Sequence, residues 1–212
     1  MREIWFALLF ALTLAGALPA AAQVPSPPDP AKAASLLAVT EQDRVLGKAE
    51  APITIVEYAS MTCPHCAHFA NDVLPKLKKN WIETGKAKLV LRDFPLDEPA
   101  LRAAMVARCA PPERFYPLVD TLFETQDKWA VAKDWRGSLE KTARLAGIGK
   151  KEFDACLANK ALEDQAAQSR LTAATQLGVD STPTFFVNGT KFQGAPTEQA
   201  FEQLLSGLAP KS

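Results

Sequence analysis

Cys63-Pro64-His65-Cys66 stands where an apolar strand pattern gives way to a helical one, and that placement constrains the chain more than any other feature. Ile53-Thr54-Ile55-Val56 is a β-branched run of the kind that packs inside a parallel sheet. From about Pro64 toward Trp81, the residues Phe69, Val73, Leu74 and Leu77 recur at helical spacing. Proline is favoured at a first helical position, because its missing N–H would have no partner there. Cys63 therefore falls at a helix N-terminus, where unpaired N–H groups and the helix dipole favour negative charge. A thiol held there ionises more readily than free cysteine, and it becomes both a nucleophile near neutral pH and a good leaving group from a disulfide. The motif points to redox chemistry.

Three other chemistries of a C-x-x-C pair compete with that one. A structural zinc site wants a second C-x-x-C or a paired His, whereas Cys109 and Cys156 stand apart from each other and from the motif. Haem attachment needs His directly after the second Cys, but Ala67 is there and His68 comes one place late. An inert disulfide across one helical turn would close almost no chain and add little stability.

The N-terminus reads as a secretory signal over residues 1–22. Arg2 supplies charge, Ile4 to Leu18 is almost wholly apolar, and Ala20-Ala21-Ala22 before Gln23 fits a small-residue cleavage site. An uncleaved membrane anchor is the alternative, since about twenty apolar residues span a bilayer; Pro19 and the Ala-rich end favour cleavage. The mature chain is then expected in an oxidising compartment where disulfides persist. With 24 basic and 24 acidic side chains the chain has no basic excess to attract nucleic acid or anionic lipid.

Residues 23–42 are rich in Pro and Ala and read as a linker, with one short helix around Ala31 to Leu37. A second apolar strand, Leu89-Val90-Leu91, ends at Asp93-Phe94-Pro95, and Pro75 is expected to kink the helix between the strands. Over 97–177 the period becomes helical. Leu101, Ala104, Met105 and Cys109 form one face, broken by Arg108. Phe115, Leu118, Val119, Leu122 and Phe123 form a second, and Phe153, Cys156 and Leu157 begin a third. Strand signals return at Thr184-Phe185-Phe186-Val187, followed by a helix with Phe201, Leu204, Leu205 and Leu208 on one side. Asn188-Gly189-Thr190 matches a glycosylation acceptor, but Asn-Gly between two β-prone runs reads as a tight hairpin. The pattern is an α/β sheet, residues 43–96 and 178–212, interrupted by an all-helical insertion over 97–177.

Cys109 and Cys156 fall on apolar helix faces and could be buried free thiols behaving as small hydrophobes. In an exported protein unpaired thiols would compete with the chemistry at Cys63, so a Cys109–Cys156 bridge is expected. Its loop of nearly fifty residues corresponds to about 4 kcal/mol in the chain-entropy model.

Taken together, Val56-Glu57-Tyr58, Cys63-Pro64-His65-Cys66, Arg92-Asp93-Phe94-Pro95 and Gly178 through Gly189 make the chain resemble the DsbA-like thiol–disulfide oxidoreductases of the thioredoxin superfamily. The resemblance runs from about Asp43 to Leu208 and implies a thioredoxin-like fold with a helical domain inserted between its halves. It implies that Cys63 is the attacked sulfur and Cys66 the resolving thiol, with Pro64 and His65 the dipeptide associated with the oxidase members; His65 is expected to act by hydrogen bonding or positive charge near the sulfur. It further implies that Thr182-Pro183 is a cis-proline turn facing the cysteines and offering backbone groups to an extended substrate. Glu57 is similar to the family's buried acid beneath the active site; a strand-end carboxylate facing water is the other reading. Thr182 departs from the Val that many oxidase members carry, and resembles the isomerases and some divergent oxidases there. The partners implied are folding exported proteins and a DsbB-type, quinone-linked membrane oxidase. The protein itself is expected to be a periplasmic monomer without metal or other cofactor. An isomerase or reductase kept reduced by a membrane partner, and a redox-inert chaperone or binding module, are the competing functions.

Overall fold

The computed structural model describes residues 30–209, so the signal sequence expected at 1–22 and the first part of the linker expected at 23–42, residues 23–29, lie outside the described residues. Helix α1 (Pro30–Leu37) precedes a two-residue strand β1 (Val45–Leu46) and strand β2 (Ile53–Ala59). A helical run then begins with α2 (Pro64–His68), passes through a π-helical turn (Phe69–Val73), and continues as α3 (Leu74–Leu77) and a second π-helical turn (Lys78–Ile82). After β3 (Ala87–Asp93) come six helices: α4 (Glu98–Cys109), α5 (Pro112–Glu124), α6 (Gln126–Trp129), α7 (Trp135–Leu145), α8 (Lys150–Leu157) and α9 (Lys160–Gln176). The chain returns to the sheet as β4 (Thr184–Val187) and β5 (Thr190–Lys191) and closes with α10 (Glu198–Leu208). This is a thioredoxin-like fold with a helical insertion between β3 and β4.

The sheet order is β1-β3-β2-β4-β5, with β2 and β3 parallel and the other pairs antiparallel. The central strand β2 is buried on both faces, which is why its sequence is a continuous β-branched run. Side chains alternate between faces along a strand. Ile53, Ile55, Ala59, Leu89, Leu91 and Phe185 meet the first π-helical turn, α3 and α10 through Phe69, Leu77 and Phe201. Val56, Tyr58, Val90 and Phe186 meet α1 and α9 through Leu37 and Ala173. Asn188 and Gly189, both at positive φ (47° and 83°), make the expected hairpin turn, and the Asn188 side chain accepts from the Thr54 N–H at 2.8 Å.

Several details differ from the sequence reading. The interruption expected at Pro75 takes the form of a widened turn, in which the Leu74 N–H bonds the Phe69 carbonyl five residues back. That turn absorbs the clash a proline ring makes with a regular helical ladder. Strand β1, two residues at the sheet edge, had no sequence signal long enough to see. Leu208, expected on the core side of α10, is exposed. Arg108 does not break the buried face of α4. Its guanidinium is buried, ion-paired to Asp93, bonded to the Leu91 carbonyl at 3.1 Å and stacked over Phe115. A disulfide joins Cys109 of α4 to Cys156 of α8, as expected.

The Arg108–Asp93 pair docks the insertion on the end of β3. Removing one partner strands the other charge, so Asp93→Ala should lose about 3–5 kcal/mol of unfolding free energy in urea. The double change Asp93→Leu with Arg108→Met should lose much less; equal losses would contradict the pairing as the source of the cost.

Candidate active site

Parallel strands β2 and β3 end side by side, and the helical run starts directly above β2. Cys63 is the N-cap of α2 in extended conformation (φ −78°, ψ 120°), with Pro64 in the first turn. The loop before it is a tight turn closed by the Cys63 N–H on the Ser60 carbonyl at 3.1 Å, and the Ala67 N–H bonds the Cys63 carbonyl at 3.1 Å. The residue is only 6% exposed and Cys66 is wholly buried; both are free thiols. Pro64 and His65 face solvent.

The electrostatics of the two sulfurs diverge. The Cys63 thiol falls from its ordinary value near 9 to about 5, chiefly because the Cys66 thiol donates to its sulfur, with Thr182 and the N–H groups of Cys66 and His65 adding to the effect against the cost of burial. In the protonated form the Cys63 thiol donates to the Thr182 carbonyl at 3.3 Å. The Thr182 hydroxyl is buried with no other partner, which leaves it free to donate to the anion. Burial, the bond to Cys63 and the charges of Glu57 and Cys63 push the Cys66 thiol far up, so it stays protonated. One sulfur is an anion near neutrality and its neighbour is the proton holder.

Glu57 lies on the face of β2 that α2 covers, paired in register with Leu91 and Phe185, and is 2% exposed. It is therefore a buried acid and does not face water. Its Oε1 has no hydrogen-bond partner, and burial first, then the charge at Cys63, raises the carboxyl to about 8. The Thr182-Pro183 peptide is cis and brings the Thr182 backbone to the Cys63 sulfur. The chain thus brings Cys63, Cys66, Glu57, Thr182 and Pro183 together, while Cys109 and Cys156 lie apart in the insertion. His65 contributes its backbone N–H; its ring makes no hydrogen bond or ion pair among the described residues.

Sequence reasoning missed the residues that hold this loop from outside. Thr62 Oγ1 donates to Asp97 at 2.8 Å, and Asp97 also caps α4 through the Ala100 N–H at 2.8 Å. Gln126 Nε2 donates to the carbonyls of both Met61 (2.9 Å) and Cys63 (3.1 Å). Asp97 before Glu98-Pro99 was a readable N-cap signal, but nothing local marks Gln126. Among the described residues no group of three His, Cys, Asp or Glu is placed to hold a metal, and no helix is long and apolar enough to cross a membrane.

A family model described as Thioredoxin matches residues 39–206. A protein-disulfide oxidoreductase of Rickettsia typhi is 36% identical over 155 residues, which is 72% of this chain and 57% of that protein. The chain thus matches little more than half the length of such relatives. Among solved structures, alpha-DsbA1 of Wolbachia pipientis is 31% identical and superimposes with a TM-score of 0.77, covering 83% of this chain and 95% of that one. Oxidised BdbD of Bacillus subtilis shares the fold, with a TM-score of 0.70, 23% identity and coverage of 79% and 92%. The fold and the sulfur pair are those of a thioredoxin-superfamily dithiol protein. Within that superfamily the chain belongs to the DsbA-like oxidoreductases.

The raised carboxyl of Glu57 carries a sign that can be tested. The unfolded carboxyl ionises near 4.5 while the folded one waits until about 8, so this group costs stability progressively as pH climbs through that window. Glu57→Gln in the oxidised protein should therefore gain roughly 2–4 kcal/mol relative to the parent at pH 8 and little at pH 4. A gain independent of pH in urea unfolding would contradict a buried, protonated acid.

Proposed function

We propose that this chain is an exported thiol–disulfide oxidoreductase that donates a Cys63–Cys66 disulfide to reduced, folding secreted proteins. The observation that supports this most directly is the Cys63 sulfur at the N-terminus of α2, held as an anion beside a protonated Cys66. A substrate thiolate attacks Cys63 Sγ in the disulfide, forming a mixed disulfide and expelling Cys66 as a thiolate. Cys66 strongly prefers its proton, and protonated Glu57 beneath it is the acid that supplies one. A second substrate thiolate then attacks the substrate sulfur of the mixed disulfide. Cys63 leaves as the anion, so the substrate dithiol is oxidised by two electrons and the enzyme is reduced. The stability of that anion makes the last step fast and the bridge a strong oxidant.

The Thr182-Pro183 turn is where an extended substrate chain would lie, held by main-chain groups, which favours broad specificity. Pro64 and His65, exposed between the sulfurs, are the groups such a chain meets first. Re-oxidation is assigned to a quinone-linked membrane oxidase of the DsbB type, with the chain acting as a periplasmic monomer after signal cleavage. That assignment follows the family, as does the role of the Cys109–Cys156 bridge as scaffolding.

The oxidised chain mixed with an unfolded protein carrying two free cysteines should form the substrate disulfide about a hundredfold faster than glutathione disulfide does. Cys63→Ala and Cys66→Ala should each abolish transfer, since neither can form the bridge, and reduced Cys66→Ala offered a substrate that carries a disulfide should accumulate the mixed disulfide on Cys63. Alkylation trapping in cells should find Cys63 mostly oxidised; a mostly reduced pool would replace the oxidase reading with an isomerase or reductase.

A further inference from the structure

We infer that Gln126, contributed by the helical insertion, is a positioning residue that sets how well the Cys63 anion is held. The inference rests on the reading of Cys63 as the exchanging sulfur. Gln126 opens α6, sixty-three residues from the motif in sequence, yet its single amide nitrogen donates to the carbonyls on both sides of Thr62, those of Met61 and Cys63. Both hydrogens of the amide are thereby committed. Its own backbone is fixed: Trp129, fully buried one turn later, donates Nε1–H to the Leu122 carbonyl at 2.9 Å and pins α6 against α5.

The consequence for the sulfur is geometric and electrostatic. The anion at Cys63 depends on N–H groups of His65 and Cys66 pointing back at the N-cap, which holds only while residues 60–63 keep their turn. The carbonyl oxygens of Met61 and Cys63 are the negative ends of peptide dipoles in the segment that bears the charge. Gln126 places a partial positive charge on each. Thr62–Asp97 is a second attachment of the same loop to the insertion, but it engages a side chain and leaves the backbone carbonyls untouched. Gln126 thus carries the helical insertion's hold onto the backbone carbonyls of the redox loop.

Gln126→Met keeps the length of the side chain and removes both donors; Gln126→Glu keeps the shape and places carboxylate oxygens against two carbonyls. The thiolate absorbance of the reduced protein should titrate about one pH unit higher in Gln126→Met, and further still in Gln126→Glu. The equilibrium with glutathione should move about tenfold toward the disulfide form of Gln126→Met, in step with the titration. In the unmodified protein, the side-chain amide resonance of Gln126 should shift with the Cys63 titration, a readout that needs no variant to fold. An unmoved resonance, or variants that melt earlier but keep the parent's thiol midpoint and glutathione equilibrium, would make Gln126 a structural fastener and overturn the inference. A parent thiol titrating at an ordinary cysteine value would instead remove the functional reading on which the inference stands.

Discussion

A sulfur anion at the mouth of a helix is stabilised only if the helix begins at that residue and the neighbouring thiol keeps its proton. Both conditions are built into the short stretch from Ser60 to Ala67. The turn closed by Ser60 and Cys63 ends the strand, Pro64 starts the helix without needing an N–H partner, and Cys66 is carried one turn inward into a site with no exposure. The same burial that suppresses the charge of Cys66 raises Glu57, so the site holds one exposed-side anion above two buried, protonated groups. The separation of charge between adjacent sulfurs is what gives the disulfide its direction.

The rest of the molecule keeps that arrangement in place. Five sheet strands fix where β2 and β3 end, and aromatic packing of Phe69, Phe185 and Phe201 seats the helical run on the sheet. On the opposite face, Arg92 holds the segment before β1 through Asp43 and the carbonyls of Leu36 and Ala38. The insertion is fixed through the buried Arg108–Asp93 pair, the Cys109–Cys156 bridge within it, and contacts from Asp97 and Gln126 to the loop before the motif. The insertion therefore touches the site on the backbone side of the sulfur, leaving Pro64 and His65 open to solvent.

Much of this was legible in the chain because it is written in local patterns. The strand-to-helix change around Cys63, the Asn188-Gly189 hairpin and the apolar faces of α4, α5 and α8 follow from periodicity and turn chemistry. Glu57 could be placed on the covered face by counting from Ile55 and Ala59, but that it is buried without a partner required the packing above it. Arg108 shows the limit in the other direction: a charge on an apolar face looked like a defect because its partner, Asp93, lies on a strand read separately. Gln126 is further out of reach, since a glutamine at the start of a four-residue helix has no sequence signal tying it to a cysteine loop. The interruption expected at Pro75 is a π-helical turn just before it, because a proline conflict can be resolved by bending or by widening the ladder.

The Cys63 anion stabilises the reduced protein and has no counterpart in the oxidised one. In the reduced form the unfolded thiol ionises near 9 and the folded one near 5, so its stability rises with pH across that window and the contribution vanishes below it. Cys66 remains protonated throughout, and Glu57 opposes the rise only to the extent that its carboxyl feels the Cys63 charge. The deciding measurement is the melting temperature of the two redox forms compared between pH 4 and pH 8. The reduced form should gain on the oxidised form as pH increases and melt higher at pH 8, by several degrees on the usual scale for a chain of this size. A difference that is flat with pH, or an oxidised form that is the more stable at pH 8, would contradict it.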